Sequence, residues 1–245
     1  MPQEKISLPV YFISDLHLGA APSGAIPYRE ERVIELLQRW QGLASHVVFV
    51  GDTFEFWMEY RHYVSCHHFR FLRALADLVD SGVSVHLLAG NHDFQLDDFF
   101  PAQLGVSVHH TLLLEVQGLR IWCQHGDGAA RSDWKYRLAR RILRNPLDVW
   151  LFRMLHPDWG MSLARWVGGS SRRINEGADP KEEEYCAFAR DFLARERYDA
   201  IVLAHNHHAG IWRHPEGVQV NCGQWLFSLQ YVRLFDGNFH LMSGM

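Results

Sequence analysis

Apolar and polar positions along the chain follow two periods. Residues 9–14 are a short apolar, β-rich run, and YREERVIELLQRW (28–40) places Val33, Leu36, Leu37 and Trp40 on one face at helical spacing. HVVFV (46–50) reads as a second buried strand, 67–82 as a helix ended by Gly82, and VSVHLLA (83–89) as a third strand. Strand, helix, strand, helix, strand predicts a parallel sheet with right-handed crossovers.

The pattern then changes. TLLLEVQGLRIWC (111–123) predicts a hairpin turning at Gln117-Gly118. A helix opened by Asp179-Pro180, with an acidic first turn at Glu182–Glu184, precedes the apolar run DAIVLA (199–204). Short strands follow, with turns at Pro215-Glu216-Gly217 and Asp236-Gly237-Asn238. A parallel front half joined to an antiparallel back half predicts an α/β (α+β) fold of two packed sheets with helices outside. There are no repeats or low-complexity linkers, so residues 1–245 are expected to form one domain, with a helical insert at about 128–178.

Composition narrows the class. Hydrophobic content of 48% and charged content of 21% are those of an ordinary globular protein, and no apolar run reaches membrane-span length. MPQEKISLPV lacks a basic start followed by an apolar core, so no signal peptide is expected. Cys66, Cys123, Cys186 and Cys222 stand far apart with no CxxC pair, as suits reduced thiols in a cytoplasmic protein. The net charge of −4 hides an asymmetry: residues 131–173 carry +7 and the rest −11. That segment is suited to meet something anionic.

Candidate chemistry collects where buried strands end. Asp15 and His17 follow the first strand, Gly51-Asp52 the second, and Gly90-Asn91-His92-Asp93 the third. IWCQ is followed by His125-Gly126-Asp127, and IVLA by His205-Asn206-His207. In open α/β sheets, loops at the carboxyl ends of strands converge on one patch. Singly, each motif reads as a turn or a core histidine; five in succession do not. Asp15, His17, Asp52, Asn91, His125, His205 and His207 offer oxygen and imidazole but no thiolate, which suits Mn²⁺, Fe or Zn²⁺. They are too many for one ion, whereas two ions about 3.5–4 Å apart, bridged by one carboxylate, would use them all. The i, i+2 spacing within Asp15/His17 and His205/His207 suggests side chains facing one way from an extended backbone.

The pattern D-x-H … GD … GNH[DE] … H … H-x-H resembles that of the calcineurin-like metallophosphoesterases, along the whole chain. The resemblance implies a two-sheet sandwich and a dinuclear metal centre. Asp15, His17 and His207 would hold one ion, Asn91, His125 and His205 the other, and Asp52 would bridge them. His92 would act at the leaving oxygen, with Asp52 and His92 as the catalytic pair, and Mn²⁺ is the ion the resemblance suggests. Asp93 and Asp127 are expected to orient histidines. Ala204 stands where the family usually has Gly, which removes no ligand.

More narrowly, GDTFEFW (51–57), GNHDF (90–94), HGD with SDWKY (132–136) and NCGQWLFSLQYV (221–232) are similar to the UDP-2,3-diacylglucosamine diphosphatases of lipid A biosynthesis. Those enzymes typically carry Arg at the position of His92 and GDW at Gly223-Gln224-Trp225. This resemblance implies hydrolysis of a pyrophosphate in a nucleotide-linked glycolipid, by a protein peripheral to the inner membrane. The insert fits such a substrate: Trp134, Leu138 and Ile142 recur at helical spacing among arginines, as in a basic amphipathic helix lying on a membrane or capping a cleft. Arg131, Asp133, Lys135, Tyr136, Arg137 and Arg141 are its candidate substrate contacts. An acidic body with basic groups confined to one insert argues against a nucleic-acid partner.

Overall fold

The computed structural model describes residues 7–20, 22–60, 62–130, 145–160, 162–163 and 181–244. Most of the basic insert, with all six candidate substrate contacts and the Asp179-Pro180 helix start, lies outside the described residues.

The front half follows the predicted alternation. Strand β1 (Val10–Ile13), helix α1 (Arg29–Trp40), β2 (His46–Phe49), α2 (Phe69–Asp80), β3 (Ser84–Leu88) and β4 (Ser107–His109) succeed one another, and β1 to β4 pair in parallel. Helix α1 buries Val33, Ile34, Leu36, Leu37 and Trp40, each worth about 1.5–3 kcal/mol when fully removed from water. Its acidic first turn (Glu30, Glu31) and basic last turn (Arg39) complement the helix dipole.

The back half is mixed rather than antiparallel. The hairpin β5 (Thr111–Val116) and β6 (Leu119–Gln124) turns at Gln117-Gly118, where both residues have positive φ. Strand β7 (Ala200–Leu203) pairs in parallel with both β6 and β9 (Gly217–Asn221), while β8 (Gly210–His214) is displaced to the edge. Strands β10 (Gln230–Phe235) and β11 (Asn238–Ser243) return to the first sheet, antiparallel beside β1. The sheets therefore run β11-β10-β1-β2-β3-β4 and β5-β6-β7-β9-β8. The apolar run at 199–204 has no alternation because β7 is buried on both faces, which is the habit of a central parallel strand.

Between the sheets lies one core, with Val10, Phe12, Val48 and Leu88 facing Leu112, Leu114, Ile121, Val202 and Val220. Outside the first sheet, Ile13, Val47, Phe49 and Leu87 pack with α1 and α2. Outside the second, Ile201 and Leu203 pack with Tyr185, Ala189 and Leu193 of the helix Glu182–Glu196. This layering leaves the carboxyl ends of β1, β2, β3, β6 and β7 at one end of the sandwich. Of the insert, the helix Pro146–Arg153 is described. Phe152 packs against Phe56 and Phe94, and Arg153 reaches the carbonyl of Glu59 and the carboxylate of Asp97. No helix among the described residues is long and apolar enough to cross a membrane.

Candidate metal centre

Loops after neighbouring strands continue each other's hydrogen bonding. The N–H of Asp15 donates to the carbonyl of Gly51, and that of His17 to the carbonyl of Asp52. In the second sheet, just beyond the paired ends of β6 and β7, the N–H of Ala204 donates to the carbonyl of His125. The pairs are not presented from an extended backbone. Asp15, His17, Asp52, His205 and His207 all have positive φ, between 44° and 72°. Each side chain is aimed by a left-handed kink, a conformation Asp, Asn and His tolerate better than other non-glycine residues.

Two glycines make room for the convergence. A Cβ on Gly90 would overlap the carboxylate and main-chain nitrogen of Asp52, and one on Gly51 would overlap the His125 ring. The backbone at these positions approaches a functional side chain more closely than any other residue permits.

The seven predicted residues come together. Asp15 Oδ1 lies 3.1 Å from His207 Nε2 and 3.9 Å from His17 Nε2. Asp52 Oδ2 lies 3.7 Å from His17 Nε2 and 3.3 Å from His125 Nε2. His125 Nε2 is also 3.2 Å from Asn91 Oδ1 and 3.2 Å from His205 Nδ1. Asp52 thus stands between two sets of donors. Asp15 and Asp52 are buried, while His207 is the most open member, with 39% of its side chain exposed. His125 Nδ1 donates to the carbonyl of Val50 at 2.8 Å, which turns Nε2 into the cluster.

The electrostatics suit a cation. Burial pushes His17 down to about 3 and His205 down to about 4, so both are neutral near pH 7 and able to offer a lone pair. Burial alone would raise both carboxylates, but His207 holds Asp15 below its ordinary value, and His125 holds Asp52 well below its own. Conversely, against the downward pull of burial, Asp52 lifts His125 and Asp15 lifts His207. Two buried carboxylates that must borrow imidazolium charge are the donor set a divalent ion would satisfy. Among the described residues, the groups able to hold an ion are Asp15/His17/His207, Asp52/His125/His205 and His17/Glu55/His92.

His92 borders the cluster. Its main-chain N–H donates to Asp52 Oδ1 at 2.8 Å and its Nδ1 meets the carbonyl of Glu55 at 2.9 Å. Asp93 does not orient a histidine, contrary to expectation. Its carboxylate accepts the main-chain N–H groups of Thr53, Phe54 and Gly90, tying the loops after β2 and β3 together. Asp127 keeps a subsidiary electrostatic influence on His125 and His205. Sequence reasoning passed over Glu55, which lies 3.3 Å from His17 Nδ1. The available signal was an acidic residue inside the otherwise apolar stretch TFEFW.

Comparison with known proteins gives a consistent picture. Residues 8–209 match the family model described as calcineurin-like phosphoesterase. A UDP-2,3-diacylglucosamine hydrolase from Porphyromonas gingivalis is 36% identical over 209 residues, covering 84% of this chain and 79% of that protein. The enzyme of the same name from Ralstonia nicotianae is 30% identical over 258 residues, covering 95% and 91%. That of Pseudomonas fluorescens strain Pf-5 is 27% identical over 226 residues, covering 88% and 87%.

Proposed function

Because the chain belongs to the calcineurin-like phosphoesterase family, we propose that it hydrolyses the pyrophosphate of UDP-2,3-diacylglucosamine, releasing UMP and 2,3-diacylglucosamine 1-phosphate. The observation that carries this reading is the 36% identity over most of the chain to a relative bearing that activity in its name, with the candidate ligands gathered at one end of the sandwich. Asp15, His17 and His207 would hold one divalent ion, and Asn91, His125 and His205 the other. Asp52 would be shared between them, as its 3.7 Å and 3.3 Å approaches to His17 and His125 favour. Mn²⁺ is the proposed ion. When bound, two such ions supply Lewis-acid polarisation of a phosphoryl oxygen and water activated near neutral pH.

The chain's own groups do the rest. His125, fixed through Nδ1 by the Val50 carbonyl, keeps Nε2 for the ion. His92, anchored through Nδ1 to Glu55, keeps its other nitrogen for the oxygen of the departing lipid phosphate, where it stabilises charge or gives up a proton. Water adds across the P–O–P linkage, with its oxygen ending on the UMP phosphorus.

Residues 1–245 would form one domain, with the insert at about 128–178 acting as a lid at the cytoplasmic face of the inner membrane. Leu147, Trp150, Leu151 and Met154 are exposed on and beside the helix Pro146–Arg153, offering acyl chains an apolar surface beside the site. Arg131, Asp133, Lys135, Tyr136, Arg137 and Arg141 would meet the polar part of the substrate. Incubating purified protein and Mn²⁺ with UDP-2,3-diacylglucosamine should release UMP. No lipid turnover, alongside fast turnover of a soluble diester, would reject this substrate and keep the family chemistry.

A further inference from the structure

Glu55 stands three residues beyond Asp52 in the loop after β2, and its side chain turns inward with only 10% of its surface exposed. Its main-chain N–H donates to the carbonyl of Leu18 at 2.9 Å, which locks it beside the β1 loop carrying Asp15 and His17. Its Oε2 lies 3.3 Å from His17 Nδ1, a buried nitrogen that makes no hydrogen bond among the described residues. Its main-chain carbonyl takes the Nδ1 of His92 at 2.9 Å. The His17 and His92 rings meet edge to face, with centroids 4.6 Å apart. One residue therefore touches both rings on the side away from the cluster.

We propose that Glu55 is a positioning residue that holds His17 and His92 as a pair, its carboxylate fixing the tautomer and tilt of His17 and its carbonyl those of His92. An imidazole that offers Nε2 to a cation must carry its proton on Nδ1, and a buried Nδ1–H needs an acceptor. The Glu55 carboxylate, 3.3 Å away, is the acceptor within reach of His17 Nδ1. A buried carboxylate is costly unless its oxygens are engaged, so a solvent-seeking side chain would not be retained here for packing alone. The inference rests on the reading of Asp15, His17 and His207 as ligands of one ion, and it couples that ion to the group that meets the leaving oxygen.

The test is Mn²⁺ titration by calorimetry on wild type, Glu55→Ala, Glu55→Gln and Asp52→Ala, with ¹⁵N-histidine spectra of the same metal-free proteins. Glu55→Ala should weaken one of the two Mn²⁺ sites about 10–100-fold and leave the other as in wild type. It should also convert His17 from a single Nδ1–H tautomer to a mixture. Glu55→Gln, which keeps an acceptor oxygen, should show a smaller affinity loss and retain the tautomer. Unchanged affinity at both sites in folded Glu55→Ala would overturn the proposal. So would equal weakening of both sites accompanied by a lower melting temperature, which is the mark of a structural role. Wild type that binds no Mn²⁺ would instead overturn the metal reading beneath it, and Asp52→Ala losing both ions while Glu55→Ala loses none would reject Glu55 alone.

Discussion

Asp52 divides its carboxylate between two tasks: Oδ1 accepts the main-chain N–H of His92 at 2.8 Å, and Oδ2 faces the histidines of the cluster. The residue that would join two ions thus also fixes the loop carrying His92. Asp52→Ala should therefore lower phosphoesterase turnover of any substrate by about 10²-fold or more. Steady-state rates on the lipid and on a soluble diester check this, and retention of activity on either would remove Asp52 from the mechanism.

Asp93→Ala should destabilise the fold itself. Three buried main-chain N–H groups would lose their acceptor, each at a cost of about 1–3 kcal/mol if left unsatisfied. Urea denaturation of the metal-free protein measures the loss, which water entering the gap would reduce. Asn, retaining one acceptor oxygen, should fall between wild type and Ala.

Gly90→Ala should be poorly tolerated although Gly90 does not have the positive φ of Gly51. The added methyl has backbone as well as carboxylate in its way, so Asp52 must move. Overpacking of this kind costs about 1–3 kcal/mol, and metal titration should show weakened binding beyond the stability loss.

Acid sensitivity should depend on a histidine row far from the cluster. His46 and His86 stack with centroids 5.6 Å apart, and His86 Nδ1 lies 3.3 Å from His109 Nε2. Burial, then the two neighbours, pushes His86 down to about 4 from 6.5. The unfolded chain therefore binds this proton more readily, so His86 adds stability above about pH 6.5 that is lost as pH falls toward 4. Melting temperature against pH should fall less steeply for His86→Gln than for wild type across that window. Parallel curves would show that His86 contributes nothing.

Leu151→Glu and Trp150→Glu should act on the lipid alone. Both side chains are more than half exposed, so folding should change little. Each withdraws an apolar contact worth about 1.5–3 kcal/mol, raising KM for the diacyl substrate about 10–100-fold. Hydrolysis of a soluble diester by the same proteins should be unaffected.

The gathering of donors was legible because each follows an apolar run whose end can be read locally, as at Ile13, Phe49 and Leu203. Their manner of presentation was not. The i, i+2 spacing suggested extended backbone, whereas kinks at Asp15 and His17 do the aiming. Sheet order was also partly hidden. The β8–β9 hairpin reads as antiparallel, yet pairing with β7 chooses the later strand and makes the sheet mixed. Glu55 escaped, and Asp93 was assigned the wrong partners, because the groups they meet, such as His17 and Thr53, are separated from them by about 40 residues. Their local context shows only charge.

The five left-handed positions also restrict what the site can become. Asp, Asn and His tolerate that backbone, while β-branched residues are strained there. Exchange among carboxylate, amide and imidazole leaves the main chain in place, so metal preference can drift by single substitutions. Threonine or valine at the same positions would have to unwind the kink first. The main chain thus acts as a filter on the evolutionary routes open to the centre, independent of any selection on catalysis.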